Sequence, residues 1–138
     1  MNDLINDLIR DEGLELKPYV DTVGKTTIGV GRNLTDRGIS KDEAMVLLNN
    51  DVQIASRELT EAAGDTFFAL HDNAQRGLLN MAFNMGVPRL MGFKKMWAAL
   101  EEGDYQTAAI EALDSRWAVQ VGARATRIAA LIRQGESD

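Results

Sequence analysis

The sequence predicts an α+β chain, mainly α, with a small N-terminal β-hairpin lobe, a long connecting helix and a helical second half. Three observations predict it. Only the stretch "LKPYV-DTVGK-TTIGV" (16–30) alternates β-branched or aromatic residues with small ones. From Ala44 to Ala62 apolar residues recur at helical spacing without a break. Beyond that, helical patterns follow one another, separated by glycine, proline or aspartate.

The elements follow in order. Leu4, Ile5, Leu8 and Ile9 recur at helical spacing behind Asn2, an expected N-cap, with Gly13 as the stop. The hairpin comes next, and Pro18, which has no N–H for a ladder, places its first strand at an edge. "RNLTDRG" reads as loop, and Ser40 to Glu43 ("SKDE") has the form of a capping box. The long helix carries Ala44, Leu47, Leu48, Val52, Ala55, Leu59 and Ala62 on one face, and Gly64 and Asp65 interrupt it. Asp72 is the expected cap of "AQRGLLNMAFNM", apolar almost all round and so predicted as a buried central helix ended by Gly86 and Pro88. Shorter helices are expected at Phe93–Glu102, Tyr105–Leu113, around Trp117 and at Ala123–Arg133.

At 138 residues the chain is expected to be one domain with a substantial core. The absence of cysteine and the single histidine, His71, exclude a disulfide scaffold, a thiolate site and a multi-histidine zinc site. A net charge of -6 argues against a nucleic-acid partner, since phosphate contacts need a basic face. The charge is uneven: residues 1–71 hold thirteen acidic and seven basic side chains, and 72–138 hold eight of each. Arg116, Arg124, Arg127 and Arg133 cluster near the end, as a solvated face or an anionic-ligand surface. No run approaches eighteen apolar residues, and "MNDLINDLIRDEG" is too acidic for a signal peptide, so cytosolic synthesis and no stable membrane insertion are expected.

Two carboxyls stand out, Glu12 and Asp21, with Thr27 six positions on. Glu12 is expected at the C-terminal end of the first helix, where the macrodipole disfavours negative charge. Partly buried there, it is placed to serve as a proton donor. Asp21 falls in the hairpin turn, supplied with backbone N–H groups that favour the carboxylate, although an aspartate in "DTVG" is also an ordinary turn former. Two carboxyls in such contrasting settings suit glycosidic cleavage, one protonating the leaving oxygen and the other activating water or stabilising the cation. Thr27 is placed to hold a water near Asp21.

These residues also carry a resemblance. "DEG…Y.DT.G..TIG.G", "SKDEA..LL..DV", "NMAFNMG…GF" and "SRW…R" occur in order over nearly the whole chain and resemble the phage-type lysozymes, peptidoglycan muramidases. The resemblance implies a two-lobed fold with a small lobe at about 13–45. It also implies a linking helix at about 41–63, and a helical lobe at about 65–138 together with helix 1. It implies hydrolysis, with inversion, of the β-1,4 bond between N-acetylmuramic acid and N-acetylglucosamine. The partner would be bacterial peptidoglycan, the protein a monomer in the host cytoplasm reaching the wall by a separate release route, and no metal or organic cofactor would be needed. By the same resemblance Glu12, Asp21 and Thr27 are the catalytic set. Arg124 pairs with the glutamate, Asn80 lies near it, Asn84 is in the cleft wall and Phe93 supports the site.

Three departures accompany the likeness. Arg32 stands where many members of that family carry histidine, the Leu34–Ser40 connection is short, and the chain is acidic where phage members are often basic. Two rival functions are a catalytically silent wall-binding module and a membrane-active lysis protein acting through the Ala123–Arg133 helix. "GVGRNL" matches a dinucleotide fingerprint only in its first two glycines and is set aside. His71 is expected as a surface or N-cap neighbour, Met81, Met85, Met91 and Met96 as core filler, and Trp97 and Trp117 as buried anchors ahead of sugar-stacking platforms.

Overall fold

The computed structural model describes residues 2–134. It divides into two compact units, the chain up to Leu47 and the chain from Leu48 on.

The first unit begins with α1 (Asn2–Glu12), which ends at Gly13 (φ 81°) with the Gly13 N–H on Ile9 O at 2.9 Å. The helix includes Asn2, so this residue lies inside its first turn and not at the expected capping position. Leu4, Ile5, Leu8 and Ile9 form the expected stripe and remain 39–49% exposed. Then β1 (Glu15–Val20) pairs antiparallel with β2 (Thr26–Gly29), which pairs with β3 (Arg32–Asn33) in the order β1-β2-β3. Pro18 lies on the edge strand, as expected, inside a register irregularity between Glu15 and Tyr19 where a ladder donor is not required.

The expected loop at "RNLTDRG" is instead β3 followed by a helical turn, α2 (Leu34–Arg37). Asn33 takes the extended backbone of an N-cap and its side-chain oxygen accepts the Asp36 N–H at 3.0 Å. The turn is useful to its neighbours: Thr35 Oγ1 accepts the Thr26 N–H at 2.8 Å, and Asp36 meets Lys25 Nζ at 3.2 Å. Of residues 2–47 only Thr27 is buried, at 3% exposure. Short strands of this kind bury little apolar surface, so local hydrogen bonds carry the order of this unit.

The long helix, α3 (Lys41–Ala63), starts at a reciprocal capping box. Ser40 Oγ accepts the Glu43 N–H at 3.0 Å, and Glu43 Oε1 accepts the Ser40 N–H at 2.8 Å. Its apolar stripe is buried only at Ala55 and Leu59, short of the full-length face that the spacing predicts.

The second unit continues from α3 through α4 (Asp65–Phe68), α5 (Asp72–Met85), α6 (Val87–Met91), α7 (Lys94–Glu101), α8 (Tyr105–Leu113), α9 (Arg116–Val121) and α10 (Ala123–Arg133). Here a contiguous core forms around Leu59, Leu78, Met81, Leu90, Met96 and Ile132, each fully buried. α5 buries one face, not its whole circumference, because Asn80, Phe83 and Asn84 are exposed. Its cap is His71, not Asp72. Residue 71 has the extended backbone (φ -68°, ψ 161°), and its Nδ1 accepts the Ala74 N–H at 3.0 Å. Pro88 does not simply end α5; it opens α6, where a missing N–H in the first turn costs nothing. Both tryptophans are buried, Trp97 with Nε1–H on Leu90 O and Trp117 with Nε1–H on Asn84 Oδ1. Among the described residues no helix is long and apolar enough to cross a membrane.

Candidate active site

The first unit holds Glu12, Asp21 and Thr27. Glu12 is the last residue of α1. It is exposed, not partly buried as its place at a helix end suggested. Gly31 faces its carboxyl: a β-carbon at that position would lie 2.7 Å from Glu12 Oε1.

Asp21 opens the β1–β2 turn. Its C=O accepts the Gly24 N–H at 3.1 Å, its N–H donates to Lys25 O at 2.9 Å, and Gly24 (φ 86°) supplies the left-handed residue that closes the loop. One carboxylate oxygen, Oδ1, accepts the N–H groups of Val23 (3.0 Å) and Lys25 (2.8 Å). The other, Oδ2, accepts no hydrogen bond among the described residues, so the orientation of the carboxylate is fixed while one oxygen stays open for chemistry. The turn-forming and catalytic readings of this residue are thus compatible.

Thr27 sits on β2 opposite Asn33. Its hydroxyl donates to Lys25 O at 3.0 Å, which leaves the oxygen's lone pairs to accept from a water or a substrate hydroxyl. The structure thus brings Asp21 and Thr27 into one hydrogen-bonded turn, with Lys25 between them.

A charged brace ties β3 to the start of α3. Arg32 on β3 donates to both Glu43 carboxylate oxygens, at 2.8 and 2.6 Å, and to Gly38 O at 3.1 Å. The Arg32 hydrogen bonds, followed by the Ser40 N–H, hold the Glu43 carboxyl down at about 2. The Glu43 carboxylate in turn raises the Arg32 guanidinium. The sequence reading found the capping role of Glu43 but not its ion pair. It also missed Asn33, Thr35 and Asp36, which support β2; the asparagine three residues ahead of an aspartate was the available signal.

The second unit holds the other site candidates. Arg124, near the start of α10, donates from Nε (3.0 Å) and Nη2 (2.8 Å) to Asn80 Oδ1 on α5. Both line a pocket of about 260 Å³ with Arg76, Leu79 and Phe83. Asn84, one turn along α5, holds the Trp117 indole at 2.9 Å, and Phe93 packs edge-on against the same ring with centroids 6.4 Å apart. Arg124 with Asn80, and Asn84 with Trp117 and Phe93, thus form two groups one turn apart along α5. Among the described residues no group of three or more His, Cys, Asp or Glu side chains is placed to hold a metal ion.

Known proteins share this chain's pattern along its length. The "Phage lysozyme" family model matches residues 10–137. The pre-baseplate central spike protein Gp5 of Enterobacteria phage T4 is 33% identical over 155 aligned residues, which cover 93% of this chain and 27% of that protein. The chain thus spans about a quarter of the spike protein's length. Probable T4-type lysozymes 2 and 1 of Dictyostelium discoideum are each 28% identical, over 95% of this chain and 94% of their own. With a family match across nearly all of its length, a mainly helical body and a small three-stranded antiparallel sheet, this chain belongs to the phage lysozyme family.

Proposed function

We propose that the protein hydrolyses the β-1,4 bond between N-acetylmuramic acid and N-acetylglucosamine in bacterial peptidoglycan, as an endolysin in host-cell lysis. Glu12 is the general acid. Asp21 is the ionised partner that activates water or stabilises the cation, and Thr27 positions that water. Arg124, Asn80, Asn84 and Phe93 support the site. The observation that carries the reading is the setting of Asp21: two backbone N–H groups hold Oδ1 and leave Oδ2 open, and the buried Thr27 hydroxyl shares the Lys25 carbonyl with the Asp21 N–H. Held through Oδ1, the carboxylate keeps a fixed orientation and offers Oδ2 to a water or to the developing cation.

The same proposal makes the small lobe about 13–45, the linking helix about 41–63 and the helical lobe about 65–138 with helix 1. The protein works as a monomer, starts in the host cytoplasm and reaches the wall by a separate route. No metal or organic cofactor takes part, since two carboxyls suffice for the proton transfers.

Digestion of purified walls, borohydride reduction and mass analysis of the fragments test this. Cleavage of the proposed bond leaves N-acetylmuramic acid at every new reducing end. New ends on N-acetylglucosamine, or wall binding without new ends, contradict it. Dye release from protein-free liposomes at the same protein concentration would point to the membrane-active alternative.

A further inference from the structure

Two glycines flank Val30 where β2 turns into β3, with nearly equal φ and different surroundings. Gly29 has φ 71° and Gly31 has φ 70°, both in the left-handed region. A β-carbon on Gly29 would meet nothing within 4 Å. On Gly31 it would lie 2.7 Å from Glu12 Oε1, 3.4 Å from Cδ and 3.6 Å from Cγ. The Glu12 carboxyl therefore rests against the bare α-carbon of Gly31.

We propose that Gly31 is a positioning residue for the proton donor: lacking a side chain, it lets the β2–β3 turn act as a stop that fixes where the Glu12 carboxyl stands. This rests on Glu12 being the acid. The stop is firm because the turn is anchored on both sides. Ile28 pairs with Arg32 and Thr27 with Asn33 across the hairpin, and Arg32 is tied to Glu43 and to Gly38 O. Glu12, by contrast, is an exposed side chain with three rotatable bonds at a helix end, free to wander without a neighbour to lean on. A β-carbon at residue 31 would be relieved by movement of the flexible carboxyl, not of the braced backbone. Displacement of a reacting group by about 1 Å can cost on the order of 10²-fold in rate.

The matched glycines supply the experiment. Gly31→Ala and Gly29→Ala each place a β-carbon at a φ near 70°, and only the first meets Glu12. With purified wall fragments, at a temperature where circular dichroism shows both variants folded, Gly31→Ala should lower kcat at least about tenfold below Gly29→Ala. KM should change little in either, because the loss lies in the chemical step and not in binding. Asparagine, which enters the left-handed region more readily, replaces alanine at both positions if the alanine variants do not fold. Equal kcat in the two variants, or a loss carried by KM, overturns the proposal. Glu12→Gln in the same assay separates the two failures. If it is fully active, the assignment of the acid is wrong. If it is inactive while the glycine variants match, only the positioning role is wrong.

Discussion

Asp21 and Thr27 are joined through one residue. Lys25 donates its N–H to Asp21 Oδ1 at 2.8 Å, and its carbonyl accepts both the Asp21 N–H at 2.9 Å and the Thr27 hydroxyl at 3.0 Å. The turn that fixes the carboxylate therefore also fixes the hydroxyl, and disturbance of one reaches the other through the Lys25 peptide.

This relationship separates charge from architecture at Asp21. Asp21→Asn keeps an oxygen for the Val23 and Lys25 N–H groups and removes the charge, so activity should fall on the order of 10²-fold or more with little change in Tm. Asp21→Ala loses the acceptor as well and should cost about 1–2 kcal/mol of stability in addition. Rate assays on wall fragments and thermal melts of both variants check this. Full activity in Asp21→Asn would reduce the residue to a turn former.

Thr27→Ser should be nearly silent, and Thr27→Val should be slower on the order of tenfold, less than Asp21→Asn, because only the placement of a water is lost. Lys25 O keeps its bond from the Asp21 N–H in either variant. Steady-state rates rank the three variants, and a Thr27→Val loss exceeding that of Asp21→Asn would reverse the assigned roles.

The Arg32–Glu43 brace gives a pH signature. The Glu43 carboxyl is lowered from 4.5 to about 2 in the folded protein, chiefly by Arg32. A depressed carboxyl contributes stability that is fully present above its unfolded value and is lost as pH falls toward its folded value. The Tm gap between wild type and Glu43→Gln should therefore be constant above about pH 5 and close between about pH 4.5 and 2. Melts across that range read it directly; a gap that widens on acidification contradicts the pairing.

His71 has a structural task. Its Nδ1 accepts the Ala74 N–H, so Nε2 carries the proton and donates to Ile132 O at 3.3 Å. His71→Ala should cost about 1 kcal/mol, the usual value of an N-cap, and His71→Asn should recover most of it. Denaturant titrations of the three proteins measure both steps, and an unaffected His71→Ala would mean that the cap is idle.

What the sequence made legible was local. The capping box at Ser40 and Glu43 was readable because both partners lie within one turn. The bounds of α8 and α10 were readable because glycine or aspartate flanks strong helical spacing. The cap of α5 was misplaced by one residue, since aspartate is the stronger capping type and only the backbone reveals that residue 71 is the extended one. α2 was missed because four residues are too few for periodicity to register. At the candidate site, Glu12, Asp21 and Thr27 stood out by residue type and spacing. Their surroundings did not: the Arg32–Glu43 pair spans eleven positions, and the rest of Glu12 on Gly31 depends on a missing β-carbon. Contacts of that kind are set by the folded chain and leave no periodic trace.

The account stands on Glu12 as the proton donor, and one comparison tests it most directly. Wild type and Glu12→Gln should be assayed side by side for new reducing ends on purified peptidoglycan, with matched folding by circular dichroism. Loss of a general acid costs on the order of 10²–10⁴ in rate, so Glu12→Gln should release reducing ends at least about a hundredfold more slowly while its melting curve stays near that of wild type. Hydrolysis by a folded Glu12→Gln at the wild-type rate would contradict the account.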